Sequence, residues 1–266
     1  MLRQPAVADR FYDGDPTKLQ QALNGLIPEN SDKISAKAVL SPHAGYVYSG
    51  GVAGETFARI SIPETVILLG PNHHGQGMPL AVGTQDWEMP LGRVPLANDL
   101  AQDLISSSTL FTADDTPHLY EHSLEVQVPF LQYFQKNLQI LPVVVSRLSL
   151  QQCHQAATEL AQAIRHANRP TLLVASTDMT HYLSRQQASE QDQLALDHIL
   201  NLDAAGLYDT VLSQQISMCG IIPTTITLLA ATELGAEQAE LVRYTDSGEV
   251  SGNTEQVVGY AGVIIR

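Results

Sequence analysis

The sequence predicts a single α/β domain over residues 1–266. Three observations predict it. Wholly apolar, partly β-branched runs recur at Ala38-Val39-Leu40, Thr65-Val66-Ile67-Leu68-Leu69 and Thr171-Leu172-Leu173-Val174-Ala175, as in strands covered on both faces. Longer stretches of helical spacing separate them. A length of 266 residues, 44% hydrophobic and 16% charged, suits one large core, and no linker, repeat or low-complexity tract divides the chain.

In order, residues 1–15 are turn-rich, and Arg10-Phe11-Tyr12 reads as an arm packed on the domain. Thr17 to Ile27 has helical spacing, with Leu19, Leu23 and Leu26 on one face, and Pro28 stops it. Residues 29–36 form a polar connection. The first strand runs into Ser41-Pro42-His43-Ala44-Gly45-Tyr46, and Gly50-Gly51 introduce a helix predicted over Val52 to Ile60. The second strand, Thr65 to Leu69, runs into Gly70-Pro71-Asn72-His73-His74-Gly75. A short strand over Pro79 to Val82 precedes a hairpin or loop, Gln85 to Pro95, carrying Trp87. Asn98 to Ser107 is helical, and Asp114 to Pro117 turns. A helix is predicted from Glu121 to Phe134, with His122 and Glu125 in its first turn and a bend or break at Pro129. Gln139 to Val145 is a strand and Leu150 to Arg165 an alanine-rich helix. The third strong strand ends in Ser176-Thr177-Asp178-Met179-Thr180-His181-Tyr182. Helices follow over Arg185 to Leu200, Asp203 to Ser213 and Ile221 to Leu234, the last with Pro223 in its first turn. Strands over Glu240 to Tyr244 and Val257 to Ile265 close the sheet, with a flexible loop, Thr245 to Glu255, between them.

Charge excludes some functions. Lys and Arg total 14 against 28 Asp and Glu, a formal net charge of −14. An acidic chain with no basic run is a poor partner for nucleic-acid phosphates or anionic membranes. Two cysteines make no disulfide framework, and neither a signal-peptide pattern nor a membrane-length apolar run is present, so a cytoplasmic, reducing setting is expected.

The chemistry is expected at the strand ends. A histidine just past a strand and before a helix, as His43 is, stands where open α/β sheets place ligands; the alternative is a turn cap. Of nine histidines, His43, His73, His74, His122 and His181 fall near strand ends or helix starts, whereas His118, His154, His166 and His198 read as surface residues. Imidazoles converging at one sheet edge suggest a metal site, or else polar groups satisfied in a cleft. Adjacent side chains on a strand point oppositely, so at most one of His73 and His74 is a direct ligand. Asp178 and His181 share a face if helical, and read as an acid–base pair or an outer shell; Asp178 alternatively caps a helix. Cys219, just before a helix, is expected to have a lowered thiol pKa and to act as nucleophile or soft ligand, or else to be an inert buried thiol. Cys153 reads as inert, on an exposed helix. A third reading is a cysteine hydrolase using Cys219 and His181. Phosphate-loop, dinucleotide and nucleophile-elbow patterns are absent.

Taken in order, Pro42-His43-Ala44-Gly45-Tyr46, Gly70-Pro71-Asn72-His73-His74, Glu121-His122-Ser123-Leu124-Glu125, Ser176 to His181, Met218-Cys219-Gly220 and Val258-Gly259-Tyr260-Ala261 resemble the Memo family, whose bacterial and archaeal members are called AmmeMemoRadiSam system protein B. Thr177 stands where many members have serine. The resemblance implies a fold like that of class III extradiol dioxygenases, a central mixed β-sheet flanked by helices, and a metal centre. Carried over by position, the metal ligands are His43, His74 and Cys219, and the catalytic pocket residues are His122, Asp178 and His181. The implied metal is iron(II) or copper, because a thiolate is softer than the carboxylate of two-histidine dioxygenase sites and is oxidisable. The expected activity is redox chemistry on a small organic substrate. The alternative is metal or partner binding without turnover, since animal members are linked to signalling and to copper or iron handling. The bacterial name implies a radical S-adenosylmethionine protein and an AMMECR1-like protein as partners.

Overall fold

The computed structural model describes residues 2–29 and 32–266. The expected polar connection at 29–36 thus includes Asn30 and Ser31, which with Met1 lie outside the described residues. The strands are β1 (Leu2–Arg3), β2 (Ala38–Ser41), β3 (Thr65–Pro71), β4 (Leu80–Val82), β5 (Asp86–Trp87), β6 (Thr112–Ala113), β7 (Gln139–Val145), β8 (Thr171–Ser176), β9 (His181–Leu183), β10 (Ala239–Asp246) and β11 (Val257–Ile265). The α-helices are α1 (Pro16–Leu26), α2 (Tyr46–Ala58), α3 (Asn98–Ser107), α4 (Val128–Phe134), α5 (Leu150–Ala167), α6 (Arg185–Leu200), α7 (Ala204–Ser213), α8 (Ile221–Glu233) and α9 (Gly248–Ser251).

The main sheet runs β10-β11-β2-β8-β3-β7-β4-β6, with β9 paired to β11. It is mixed: β2, β8, β3 and β7 are parallel, while β11 is antiparallel to β2 and β4 to β7. The three strands legible from their apolar runs are therefore neighbours at its centre. Their alternate residues serve opposite cores. Leu40, Ile67, Leu69, Leu173 and Ala175 face the cluster formed with α3, α5, α6, α7 and α8. Val39, Val66, Leu68, Leu172 and Val174 face the one formed with α1, α2 and α4. Covering both faces explains why these strands are apolar throughout rather than alternating.

Parallel β2, β8 and β3 end on the same edge, with Ser41 opposite Ser176. The segments leaving β2, β3 and β8 there carry His43, His73-His74 and Asp178 within three residues of the strand ends.

Two helices differ from expectation. The second begins at Tyr46, not Val52, and carries Gly50 and Gly51 inside it. Small residues are needed there because α2 lies against the end of α1: a Cβ on Gly54 would sit 2.3 Å from the carbonyl oxygen of Leu26. The helix expected from Glu121 starts only at Val128, after a 3-10 turn over Glu125–Gln127, because Pro129 is tolerated in a first turn and not in the interior. His122 therefore lies on a loop. The loop at 245–255 contains the short helix α9.

Candidate metal centre

His43 is the deepest group of the site, 1% exposed. Its backbone N–H donates to Asp178 Oδ1 at 2.7 Å, joining the segments that leave β2 and β8. Its Nδ1 lies 3.0 Å from Ser176 Oγ. That hydroxyl donates its single proton to the Ser123 carbonyl at 2.6 Å and accepts from Gln127 Nε2 at 2.8 Å. It has only acceptor capacity left for His43, so the network assigns the proton to Nδ1 and the lone pair to Nε2.

Three imidazoles converge. Ligand nitrogens of His43, His73 and His122 all lie within 4.8 Å of one another. The rings of His73 and His122 stack at 4.5 Å, and His43 stands edge-on to both at 5.2 and 5.3 Å. Behind them sits Glu121. Its carboxylate accepts the His73 backbone N–H at 2.8 Å, His73 Nδ1 at 2.8 Å and the Ser123 N–H at 2.9 Å, and His122 Nδ1 lies 3.4 Å away. A carboxylate on the outer nitrogen fixes tautomer and ring plane, leaving the inner nitrogen of His73 free to ligate.

The loop that carries Glu121 and His122 is held by the N-terminal arm. Arg3, 5% exposed, donates to the carbonyls of His118 (2.7 Å) and Glu121 (2.8 Å) and pairs with Glu125 at 2.7 Å. Glu125 also accepts from the backbone of Ala6 and Val7 and from the Tyr12 hydroxyl at 2.6 Å. It clamps the arm, so that Phe11 lies 4.7 Å from the His122 ring.

Cys219, at the turn before α8, presents Sγ 3.2 Å from His43 Nε2 and 3.2 Å from the Asp178 N–H. Asp178 and His181 are on no common helix: Asp178 is in the loop after β8 and His181 opens β9. His181 Nδ1 faces the Ser217 carbonyl at 3.0 Å, so it carries the proton and Nε2 the lone pair. Asp192 on α6 fixes this loop through the Thr180 N–H at 2.8 Å.

The electrostatics suit a cation. Burial, then the neighbouring His122 and His73, push His43 well below the usual imidazole range. Burial and His73 lower His122 to about 4. Burial raises the Glu121 carboxyl, but its bonds to His73 outweigh this and hold it below the usual range. Burial raises Asp178 to about 6 against the opposing His43 hydrogen bond. Cys219 is pushed up, not down, by burial and then by the Asp178 charge, so helix proximity does not make it a thiolate. Three converging imidazoles, two of them held below the usual range, a carboxylate behind and an adjacent sulfur form a donor set that fits a transition metal.

The structure gathers His43, His73 and His122, whereas the expected ligand set was His43, His74 and Cys219. Of that set, His43 and Cys219 are in contact. His74 is exposed, with Nε2 3.0 Å from the Tyr120 carbonyl. The reason is local: β3 ends at Pro71, and Asn72 Oδ1 accepts from the backbone of His74 and Gly75, turning the chain so that His73 faces in. His122, expected among the catalytic pocket residues, is in the imidazole cluster. Glu125, expected beside His122, holds the arm instead. Arg3, Glu121 and Gln127 escaped the sequence reading because their partners are distant in the chain; only the acidic residue beside His122 was a local signal. His118 is buried rather than superficial, its Nε2 on the Ala81 carbonyl at 3.0 Å. Cys153 is also buried, its thiol raised to about 12 by burial.

The sequence model of the family described as Memo-like protein matches residues 3–264. Full-length similarity extends to MEMO1 family proteins of several organisms. That of Methanopyrus kandleri is 38% identical over 281 residues, covering 100% of this chain and 99% of its own. That of Aquifex aeolicus is 39% identical over 266 residues, covering 99% and 98%. That of Archaeoglobus fulgidus is 38% identical over 265 residues, covering 100% of each.

Proposed function

The chain belongs to the Memo-like protein family, and from that premise we propose that it is a metal-dependent redox enzyme acting on a small organic substrate, with iron(II) or copper held by His43, His73 and His122. The observation that carries this reading is the convergence of three imidazole nitrogens, two of them oriented from behind by Ser176 and Glu121. When bound, such an ion supplies electron exchange and polarises groups that coordinate it. The chain's own residues do the rest. Glu121 holds the His73 ring, and Ser176 the His43 ring. Asp178, titrating near 6, holds or releases a proton close to neutral pH, and the His181 Nε2 lone pair is available to take one. Cys219 Sγ flanks the cluster as a further soft donor.

A second reading, metal binding in the service of a protein partner without turnover, is favoured by Tyr120 and Tyr182. They are 67% and 73% exposed beside His74 and His181, and Tyr182 holds a left-handed backbone, φ 62°. The partners in that case are the radical S-adenosylmethionine protein and the AMMECR1-like protein that the family resemblance implies.

Anaerobic purification, metal quantification by mass spectrometry, and oxygen uptake with catechols test both. Iron or copper near one per chain, lost in His43→Ala, with substrate-dependent uptake supports the enzyme. Stoichiometric metal without uptake supports the second reading, and no metal refutes both.

A further inference from the structure

We infer that the cavity beside Cys219 binds the carboxylate of an apolar organic acid, with Arg147 as the anion's partner. Its place next to the reaction rests on the metal reading above; the binding itself does not.

The cavity, about 500 Å³, runs from Pro71 and Asn72 at the end of β3 to Cys219 before α8. Because Cys219 Sγ touches His43 Nε2, the cavity abuts the histidine cluster. Its volume is that of a small-ligand site. Leu148, Val211, Ile216 and Ile222, all buried, supply apolar lining. Its lining also includes the polar Asn72, Ser146 and Arg147.

Charge singles this cavity out. The chain has 28 acidic residues and a net charge of −14, yet no aspartate or glutamate is among the described residues lining the cavity. Seven of the other nine arginines pair with carboxylates, Arg3, Arg59, Arg93, Arg165, Arg169, Arg185 and Arg243, and Arg266 is the exposed last residue and lines none of the cavities. Arg147 is exposed, and its guanidinium makes no ion pair or hydrogen bond among the described residues. Arg10 is likewise unpaired, but the cleft it lines also holds Asp9 and Asp13. Next to Arg147, Ser146 Oγ accepts from Asn72 Nδ2 at 3.0 Å, and its own proton has no acceptor among the described residues. A free planar fork and a free hydroxyl lining one cavity supply the donors that the two oxygens of a carboxylate take. The apolar lining takes the hydrocarbon or aromatic body.

The probes are 4-phenylbutyrate and its uncharged amide, titrated calorimetrically into metal-free, chelator-treated protein. Wild type should bind the acid about ten-fold or more tightly than the amide, as expected for a charge-assisted pair. Arg147→Gln should erase that preference, and Arg147→Lys should restore part of it. Equal binding of acid and amide to wild type, no binding of either, or an unchanged preference in Arg147→Gln overturns the inference. Metal content is measured in parallel on untreated protein. Metal bound at one per chain without an acid preference refutes this inference alone, and an acid preference in a chain that takes up no metal supports it while refuting the metal reading.

Discussion

Replacing Glu121 by Gln should separate support of the metal centre from support of the fold. Glu121 is 1% exposed and acts only as an acceptor: Oε1 takes His73 Nδ1 and the Ser123 N–H, and Oε2 takes the His73 N–H. A Gln must turn one corner into an NH₂ donor. The better rotamer keeps its oxygen toward Nδ1 and Ser123, so the NH₂ meets the His73 backbone N–H, donor against donor. One charge-assisted bond is lost, about 1.5–3 kcal/mol, and the other two lose their charge. Stability should fall by about 2–3 kcal/mol, or Tm by roughly 4–10 °C in a chain of this size. Metal affinity should fall about 10- to 100-fold as the His73 ring loses its anchor. The pH dependence has a definite sign. The folded Glu121 carboxyl lies below its ordinary value of 4.5, so its contribution is present above that value and is lost as pH falls below it. In the metal-free proteins, the Tm difference between wild type and variant should therefore shrink between about pH 5 and about pH 3. Chelator competition gives the affinity and calorimetry the Tm. A variant that melts early but binds metal as wild type does would refute Glu121 as the support of a ligand, and unchanged melting would refute the hydrogen-bond count.

Other expectations follow the same logic. Glu125→Gln leaves Arg3 buried without its charge partner, a loss of about 3–5 kcal/mol; Tm should fall by about 10 °C and proteolysis should open the arm near Phe11, whereas an unaltered Tm would contradict the clamp. His74→Ala should leave metal affinity within about two-fold, since the ring faces Tyr120 and solvent; loss of metal would restore His74 as the ligand. His43 and His122, both held below the usual imidazole range by burial, should contribute no loss of metal affinity between about pH 7 and about pH 5; replacing either by Ala should lower the affinity without changing its pH slope there, and a changed slope would contradict this. A ten-fold decline per pH unit, abolished in Cys219→Ser, would instead show the thiol deprotonating onto the metal. Gly54→Ala drives a Cβ into the Leu26 carbonyl and should cost about 1–3 kcal/mol, read by denaturant midpoint; neutrality would mean that α1 moves freely from α2.

Much of the fold was legible because its signals are local. Three apolar runs wide enough to be covered on both faces specify central parallel strands, and proline and glycine mark where helices begin and end. Pro129 alone decides that His122 precedes a helix, although the apolar spacing from Glu121 onward concealed it. The same locality fixes which segments leave the sheet's carboxyl edge, since parallel neighbours must end together. Hence His43, Asp178 and the His73-His74 pair were all placed at that edge by sequence.

Which of them turn inward is another matter. The choice of His73 over His74 depends on an asparagine turn after Pro71 and on a carboxylate from a loop 48 residues later. The proton position on His43 depends on Ser176 and Gln127, 133 and 84 positions away in the chain, and the clamp on the His122 loop on Arg3 at the opposite end of the sequence. Cys219 carries a raised rather than a lowered thiol pKa because burial and then the Asp178 charge, both consequences of packing, outweigh the helix that follows it. The sequence by itself determined the strands, the edge and the residue types that meet there, through short-range patterning. Ring orientation, tautomer and proton affinity were decided only by the tertiary structure, because each is set by a partner that the chain brings near only on folding.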